Sequence, residues 1–288
     1  MTLTATAAPK VPDQEVPPIP ESISGTTGRV PLPDLDPQDA QIDVACRLLR
    51  LPTIRTRYEE LAASSRRDGL SYTQFLAELL EIECQDREVR RKVRMVRDAK
   101  FPRPKRVEDF EFDKNPNVSA EVVGSLAGNT TWVREGRPLV MIGDSGTGKS
   151  HLLIGIGTAV AEAGLTVRYT TTTAALVNEL AEAEAGKHLT STLARYTKVD
   201  LLCLDEFGYL NLDKKGAKLL FQIFTEREER KATAVASNAP FGEWNKTFTD
   251  PRLCTAVADR LTFKCTLLET GSDSYRLAAT EAEHQAGQ

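Results

Sequence analysis

Between Ile42 and Val96 apolar residues return every three or four positions, the period of helices that bury one face. Ile42, Val44, Leu48 and Leu49 begin the pattern, and Pro52 separates that segment from the next. Ser71-Tyr-Thr-Gln74 has the form of a capping box and predicts the start of a long helix. Phe75, Leu79, Ile82, Val89, Val93 and Val96 would form its buried face, with Arg87, Arg91 and Arg94 near the opposite face and Arg90 and Arg97 beside them. Pro102 and Pro104 end that helix, because proline lacks a backbone donor and restricts the residue before it. Residues 41–107 therefore read as a small all-helical domain.

Past Glu108 the period changes. Short apolar runs at Pro138–Ile142, Thr166–Thr170, Val199–Leu204, Thr233–Ala236 and Lys264–Leu268 alternate with helix-length stretches. That alternation predicts an α/β domain over residues 108–279, a mostly parallel sheet flanked by helices. The connection from Thr172 to Tyr196 has room for two helices broken near Gly186. Residues 1–40 hold eight of the fifteen prolines and no aromatic residue, a composition that cannot offset its ordering entropy; they read as a disordered tail, as do residues 280–288.

Composition removes several classes of function. The five cysteines, Cys46, Cys84, Cys203, Cys254 and Cys265, are odd in number and scattered, with no C-x-x-C pair. This argues against a disulfide framework or a zinc site and for a reducing compartment. The N-terminus lacks a secretory layout, and the longest uncharged apolar run, Ser150–Ala161, is too short for a bilayer. A cytoplasmic protein is expected. Net charge of −4 neither demands nor excludes nucleic acid, so only local charge can speak to it.

One segment carries specific chemistry. Gly143-Asp144-Ser145-Gly146-Thr147-Gly148-Lys149-Ser150 satisfies the phosphate-loop pattern G-x-x-x-x-G-K-[ST], after a predicted strand and before a helix that continues through His151. Glycines let the backbone wrap an anion, successive N–H groups point at it, and the helix adds its positive end. In such a loop Lys149 reaches the β/γ-phosphates and the Ser150 hydroxyl ligates Mg²⁺. Fifty-six residues after Lys149 an apolar strand ends in Asp205-Glu206. Asp205 is placed to hold Mg²⁺, and Glu206 to orient or deprotonate an attacking water. An adjacent pair of this kind fits hydrolysis that drives motion or assembly better than a small-molecule kinase. Asn238, at the end of another strand, is either a sensor of the γ-phosphate or a turn residue before Ala239-Pro240. Asp250-Pro251 opens a short helix that ends near Arg260, a position where a charge is usually just favoured by the helix dipole.

Taken together, Gly143–Ser150, Asp205-Glu206-Phe-Gly-Tyr209, Ser237-Asn238, Asp250-Pro through Asp259-Arg260-Leu261 and Ser274-Tyr275-Arg276 resemble the IstB-like branch of AAA+ ATPases, related to DnaC-type helicase loaders. Arg50-Leu-Pro-Thr through Tyr58-Glu-Glu-Leu, with Leu70-Ser-Tyr and Phe75-Leu, resembles the N-terminal domain of the same proteins, so the likeness spans roughly residues 41–278. The resemblance implies an ATP-dependent helper of insertion-sequence transposition. Such a protein binds double-stranded DNA with little sequence preference, forms homo-oligomers with ATP and serves a partner transposase. It also implies Asn238 as first sensor, Arg260 as an arginine finger acting on the neighbouring subunit's ATP, and Arg276 as a candidate γ-phosphate sensor. Only 20 residues follow Leu268, too few for a C-terminal lid domain. Phe110 and Phe112 are candidates for packing near adenine, or simply for the core.

Asp86–Arg106 holds ten Lys/Arg against three acidic residues, counter to the chain's overall charge. Arg87, Arg90, Arg91, Lys92 and Arg94 would give salt-sensitive, sequence-independent affinity for DNA; a solvated helix face is the alternative. Lys187, His188 and Arg195 form a weaker candidate surface, opposed by Glu179, Glu182 and Glu184. Two other functions share these motifs: a replicative helicase loader, and a nucleotide-gated binding module that does not hydrolyse. Glu206 argues against the second, which has no need of a water activator.

Overall fold

The computed structural model describes residues 36–208, 212–248 and 250–274. It begins with three helices, α1 (Pro37–Leu49), α2 (Pro52–Arg67) and α3 (Tyr72–Ala99). Helix α1 starts ahead of the expected boundary at residue 41, because the Asp36 carboxylate caps it and Pro37 fills its first turn. Residues 1–35 of the expected tail and the segment 280–288 lie outside the described residues. The Ser71–Gln74 capping box is present in both directions at the start of α3.

Helix α2 has no side-chain cap of its own. Its orphan N–H groups at Thr53 and Ile54 are instead met by Glu83 Oε2, from α3, at 2.8 and 3.1 Å. A buried carboxylate at a helix N-terminus is favoured both by these donors and by the dipole. Around it Cys46, Ile54 and Leu79 form a small core with Ile42, Tyr58 and Phe75.

At 28 residues α3 is about 42 Å long, and its two ends have different partners. The first half packs on α2; Met95 and Val96, near the other end, join the core of the following domain. Between them, the apolar side chains of the middle join neither core. Val89 and Val93 are therefore 58% and 64% exposed, although their spacing placed them on the buried face.

The remainder is a single five-stranded parallel sheet in the order β2-β3-β4-β1-β5. Its strands are β1 (Leu139–Ile142), β2 (Val167–Thr170), β3 (Leu201–Phe207), β4 (Ala232–Ser237) and β5 (Thr266–Glu269). They coincide with the apolar runs of the sequence to within three residues. Helices α4 (Ala120–Gly128), α5 (Thr131–Arg134) and α6 (Lys149–Glu162) contribute, with the end of α3, to one apolar layer. Helices α7 (Thr173–Ala185), α8 (Leu189–Thr197), α9 (Lys214–Arg227) and α10 (Pro251–Thr262) build the other. The break between α7 and α8 falls at Gly186, as expected.

Helix α6 is apolar almost all round because it is covered on almost every side. The linker after α3 lies directly on it: a Cβ at Gly155 would meet the Val107 backbone nitrogen at 3.0 Å, and Gly157 sits against the Phe101 ring. No helix among the described residues is long and apolar enough to cross a membrane.

Candidate nucleotide site

In a parallel sheet, ligand sites lie beyond the carboxyl ends of the strands, where the strand order reverses. Here β1 runs between β4 and β5, while its own successor β2 lies at the far edge. The loop leaving β1 is Gly143–Gly148, and it opens α6. Gly148, at φ 94°, is the left-handed N-cap of that helix; its missing Cβ makes room for the Phe110 ring, which one would approach to 2.5 Å. The loop is braced from behind. Asn115 Nδ2 donates to Thr147 O and Thr270 O, both at 3.0 Å, and Asp144 N–H donates to Gly271 O. Lys149 folds its ammonium onto the loop, donating to Gly143 O at 2.7 Å and Asp144 O at 2.6 Å.

At the end of β3 the pairing with β4 shifts between Leu204 and Phe207. Glu206 occupies the left-handed region at φ 50°, an uncommon conformation for a residue with a side chain. Such a bulge re-aims side chains and stores strain where a surrounding structure holds it. Its effect here is to separate two adjacent carboxylates. Asp205 is buried, with Oδ2 accepting from Tyr169 Oη at 2.6 Å and Oδ1 from the Glu206 N–H at 2.9 Å; Glu206 is exposed. Burial and then the charge of Asp205 push the Tyr169 hydroxyl far above its ordinary range, so it remains a donor.

These parts share one cavity of about 250 Å³. Ser145, Gly146, Gly148, Lys149, Ser150, His151, Asp205, Glu206 and Asn238 line it, together with two residues not anticipated, Arg103 and Lys105. The turn at Asn238 is held by its neighbour: Ser237 Oγ donates to Ala239 O and accepts from Ala239 N–H. The turn does not need the Asn238 side chain, whose residue faces the cavity. The hydroxyl of Ser150 and the carboxylate of Asp205, both lining the cavity, make a hard-oxygen donor set suited to Mg²⁺, and the glycine loop suits phosphates.

A second cavity, of about 160 Å³, adjoins the loop. Lys105, Asp109, Phe110, Asn115, Thr147 and His151 are among its walls. Phe110 therefore borders a pocket beside the loop, while also stacking edge-on against Phe112 and His151. Burial, followed in part by the charges of Lys105 and Arg103, holds the His151 imidazole below its ordinary range; its Nε2 lies 2.8 Å from Arg106 O.

Arg260 is elsewhere. It lines a cleft of about 370 Å³ at the opposite end of the strands, with Pro138, Lys231 and Lys264. Its Nε pairs with Glu228 at 2.9 Å, and its guanidinium lies 4.8 Å above the Phe221 ring. Arg276 falls outside the described residues. The candidate cations on α3, Arg87, Arg90, Arg91, Lys92 and Arg94, are all exposed. Arg90 also donates to Glu83 Oε1 at 2.9 Å and Thr53 Oγ1 at 2.8 Å. Arg87 likewise donates to Arg50 O at 2.7 Å. On α8, Arg195 is paired with Glu179 at 2.7 Å.

The chain matches the family described as IstB-like ATP binding protein over residues 44–283. It is 37% identical over 250 residues to a protein of Sinorhizobium fredii named as an insertion sequence ATP-binding protein, covering 86% of this chain and 84% of that one. It is 32% identical over 232 residues to a protein of Geobacillus stearothermophilus named as the ATP-binding protein of insertion sequence IS5376, covering 81% and 92%. Among solved structures, AMPPCP-bound DnaA from Aquifex aeolicus superposes with a TM-score of 0.51 at 22% identity, over 65% of this chain and 57% of that one. The fold is thus that of AAA+ phosphate-loop proteins.

Proposed function

This chain belongs to the IstB-like family of ATP-binding proteins, and from that premise we propose that it is a Mg²⁺-dependent ATPase that assembles on duplex DNA and serves a partner transposase. The observation that carries the reading is the cavity in which the glycine loop, Lys149, Ser150, Asp205, Glu206 and Asn238 converge. Lys149 leaves the loop carbonyls to meet the phosphates, Ser150 and Asp205 supply oxygens to the ion, and Asn238 holds polar contact at the γ-phosphate end. When bound, Mg²⁺ neutralises charge on the phosphates. Glu206, exposed and held outward by the bulge, orients the attacking water and draws its proton.

Arg260 cannot serve the nucleotide of its own subunit from the far end of the sheet. A finger role therefore requires a second copy, which ties hydrolysis to assembly. The family match starts at residue 44 and so takes in the N-terminal helices, which supports transposition over helicase loading. Arg91, Lys92 and Arg94 are exposed cations on α3 available to DNA phosphates, Arg91 with Glu88 at 3.7 Å.

Multiple-turnover phosphate release, with and without duplex DNA, tests the reading. The wild-type chain should turn over, and Glu206→Gln should bind ATP normally while losing about 10²–10⁴-fold in rate. Normal turnover by that variant would remove Glu206 from the chemistry. Reversing Arg91, Lys92 and Arg94 to Glu should weaken DNA binding and flatten its salt dependence. An unchanged salt slope would move the DNA surface off α3.

A further inference from the structure

The segment Phe101-Pro-Arg-Pro-Lys-Arg106 ends the long helix, and its prolines account for that. They do not account for where its cations go. Proline fixes its own φ and forces the residue before it into extended backbone, so Arg103, between Pro102 and Pro104, sits on a stiff strut. The strut is tied down at both ends. On one side the Phe101 ring packs edge-on against Tyr169 at 5.7 Å. On the other, Arg106 pairs with Glu162 of α6 at 2.6 Å, and its carbonyl meets His151. Between these anchors, Arg103 and Lys105 both line the cavity that holds the phosphate loop.

Neither residue has an ion-pair partner among the described residues, although Asp205 and Glu206 line the same cavity. Their two positions differ. Lys105 also lines the second cavity, beside Phe110 and Asn115, at the far side of the loop. Arg103 does not; two residues before it, the Phe101 ring packs against Tyr169, whose hydroxyl donates to Asp205. One cation thus stands toward the Asp205–Glu206 end and the other toward the opposite end.

We propose that Arg103 is a specificity-determining residue supplied by the linker of the same chain, placed to contact the terminal phosphate of a nucleoside triphosphate, while Lys105 contacts the phosphates nearer the base. The inference rests on the ATPase reading above. A guanidinium presents forked donors matched to phosphate oxygens, and its position at the Asp205–Glu206 end gives it a partner in a triphosphate that a diphosphate lacks. Because the strut is anchored before any ligand arrives, little ordering is needed on binding. The same strut continues α3, so the residue that distinguishes the two nucleotides is physically joined to the basic helix.

Calorimetric titration of the full-length protein with AMPPCP and with ADP, each with Mg²⁺, provides the test. Arg103→Ala should weaken AMPPCP about tenfold, the worth of one charge-assisted hydrogen bond, and leave ADP within about twofold. Arg103→Lys should recover part of the loss. Lys105→Ala should weaken both nucleotides alike. ADP binding by Arg103→Ala reports that the fold is intact, and Arg103→Gln gives a second neutral variant. An unchanged AMPPCP-to-ADP ratio in both neutral variants, with the wild type binding normally, overturns this inference and leaves the ATPase reading standing. Failure of the wild-type protein to bind either nucleotide overturns both.

Discussion

Asp205 and Glu206 are adjacent in the chain, yet one is buried with both oxygens occupied and the other is open to the cavity. The sequence made the pair recognisable; it did not reveal the bulge that divides their work or the Tyr169 hydroxyl that fixes Asp205. That partner lies 36 residues away, on the neighbouring strand. Tyr169→Phe removes the donor and leaves the packing. Half-saturating Mg²⁺ for nucleotide binding and for phosphate release should rise about tenfold, as expected for one hydrogen bond to a charged group. An unchanged Mg²⁺ requirement would make Tyr169 a core residue only. At Asn238, Ser237 Oγ supplies the turn's hydrogen bonds to Ala239, and Asn238 itself lines the cavity.

Two elements owe their stability to charged side chains that no periodicity would select. Glu83 caps α2 from α3, and Arg90 is bonded to its other oxygen. Glu83→Ala would orphan two N–H groups and remove one of the partners of Arg90. We expect a loss of about 2–4 kcal/mol, localised to α1–α2, read as faster amide exchange there than in the sheet. Uniform exchange would contradict a local cap. At the lower end of the sheet, Arg227 of α9 is fully buried and has no carboxylate ion-pair partner among the described residues. It donates instead to the carbonyls of Tyr196, Val199, Asp200 and Ala232 and to Thr233 Oγ1. These bonds close the connections into β3 and β4. Arg227→Met keeps the apolar stem and strands the carbonyls, so the urea midpoint should fall by the equivalent of about 3–5 kcal/mol. A shift below about 1 kcal/mol would show that water replaces the guanidinium.

For the whole molecule, the placement of the two ends of the sheet matters most. The phosphate loop is at one end and Arg260 at the other, held by Glu228 and Phe221. Arg260→Ala should abolish hydrolysis in a uniform preparation while leaving ATP binding unchanged. Mixed with Lys149→Ala subunits it should regain part of the activity, because each variant supplies what the other lacks. Absence of recovery at every mixing ratio would exclude a finger that acts between subunits. Helix α3, whose ends belong to two different cores, joins the N-terminal helices to the nucleotide domain through the proline strut.

Features set by short-range rules were legible in the chain alone: the five strands, the glycine loop, the capping box at Ser71, the break at Gly186 and the cap at Asp250. Each depends on residues within a few positions of one another, so order and spacing suffice. The exposure of Val89 and Val93, the bonds from Arg90 to Glu83 and Thr53, the bond from Tyr169 to Asp205 and the arrival of Arg103 beside the loop were decided by tertiary packing. Arg90 and Thr53 are 37 residues apart, Tyr169 and Asp205 36. Helical period gives a residue's angle around its own axis, but only the assembled fold determines what stands opposite.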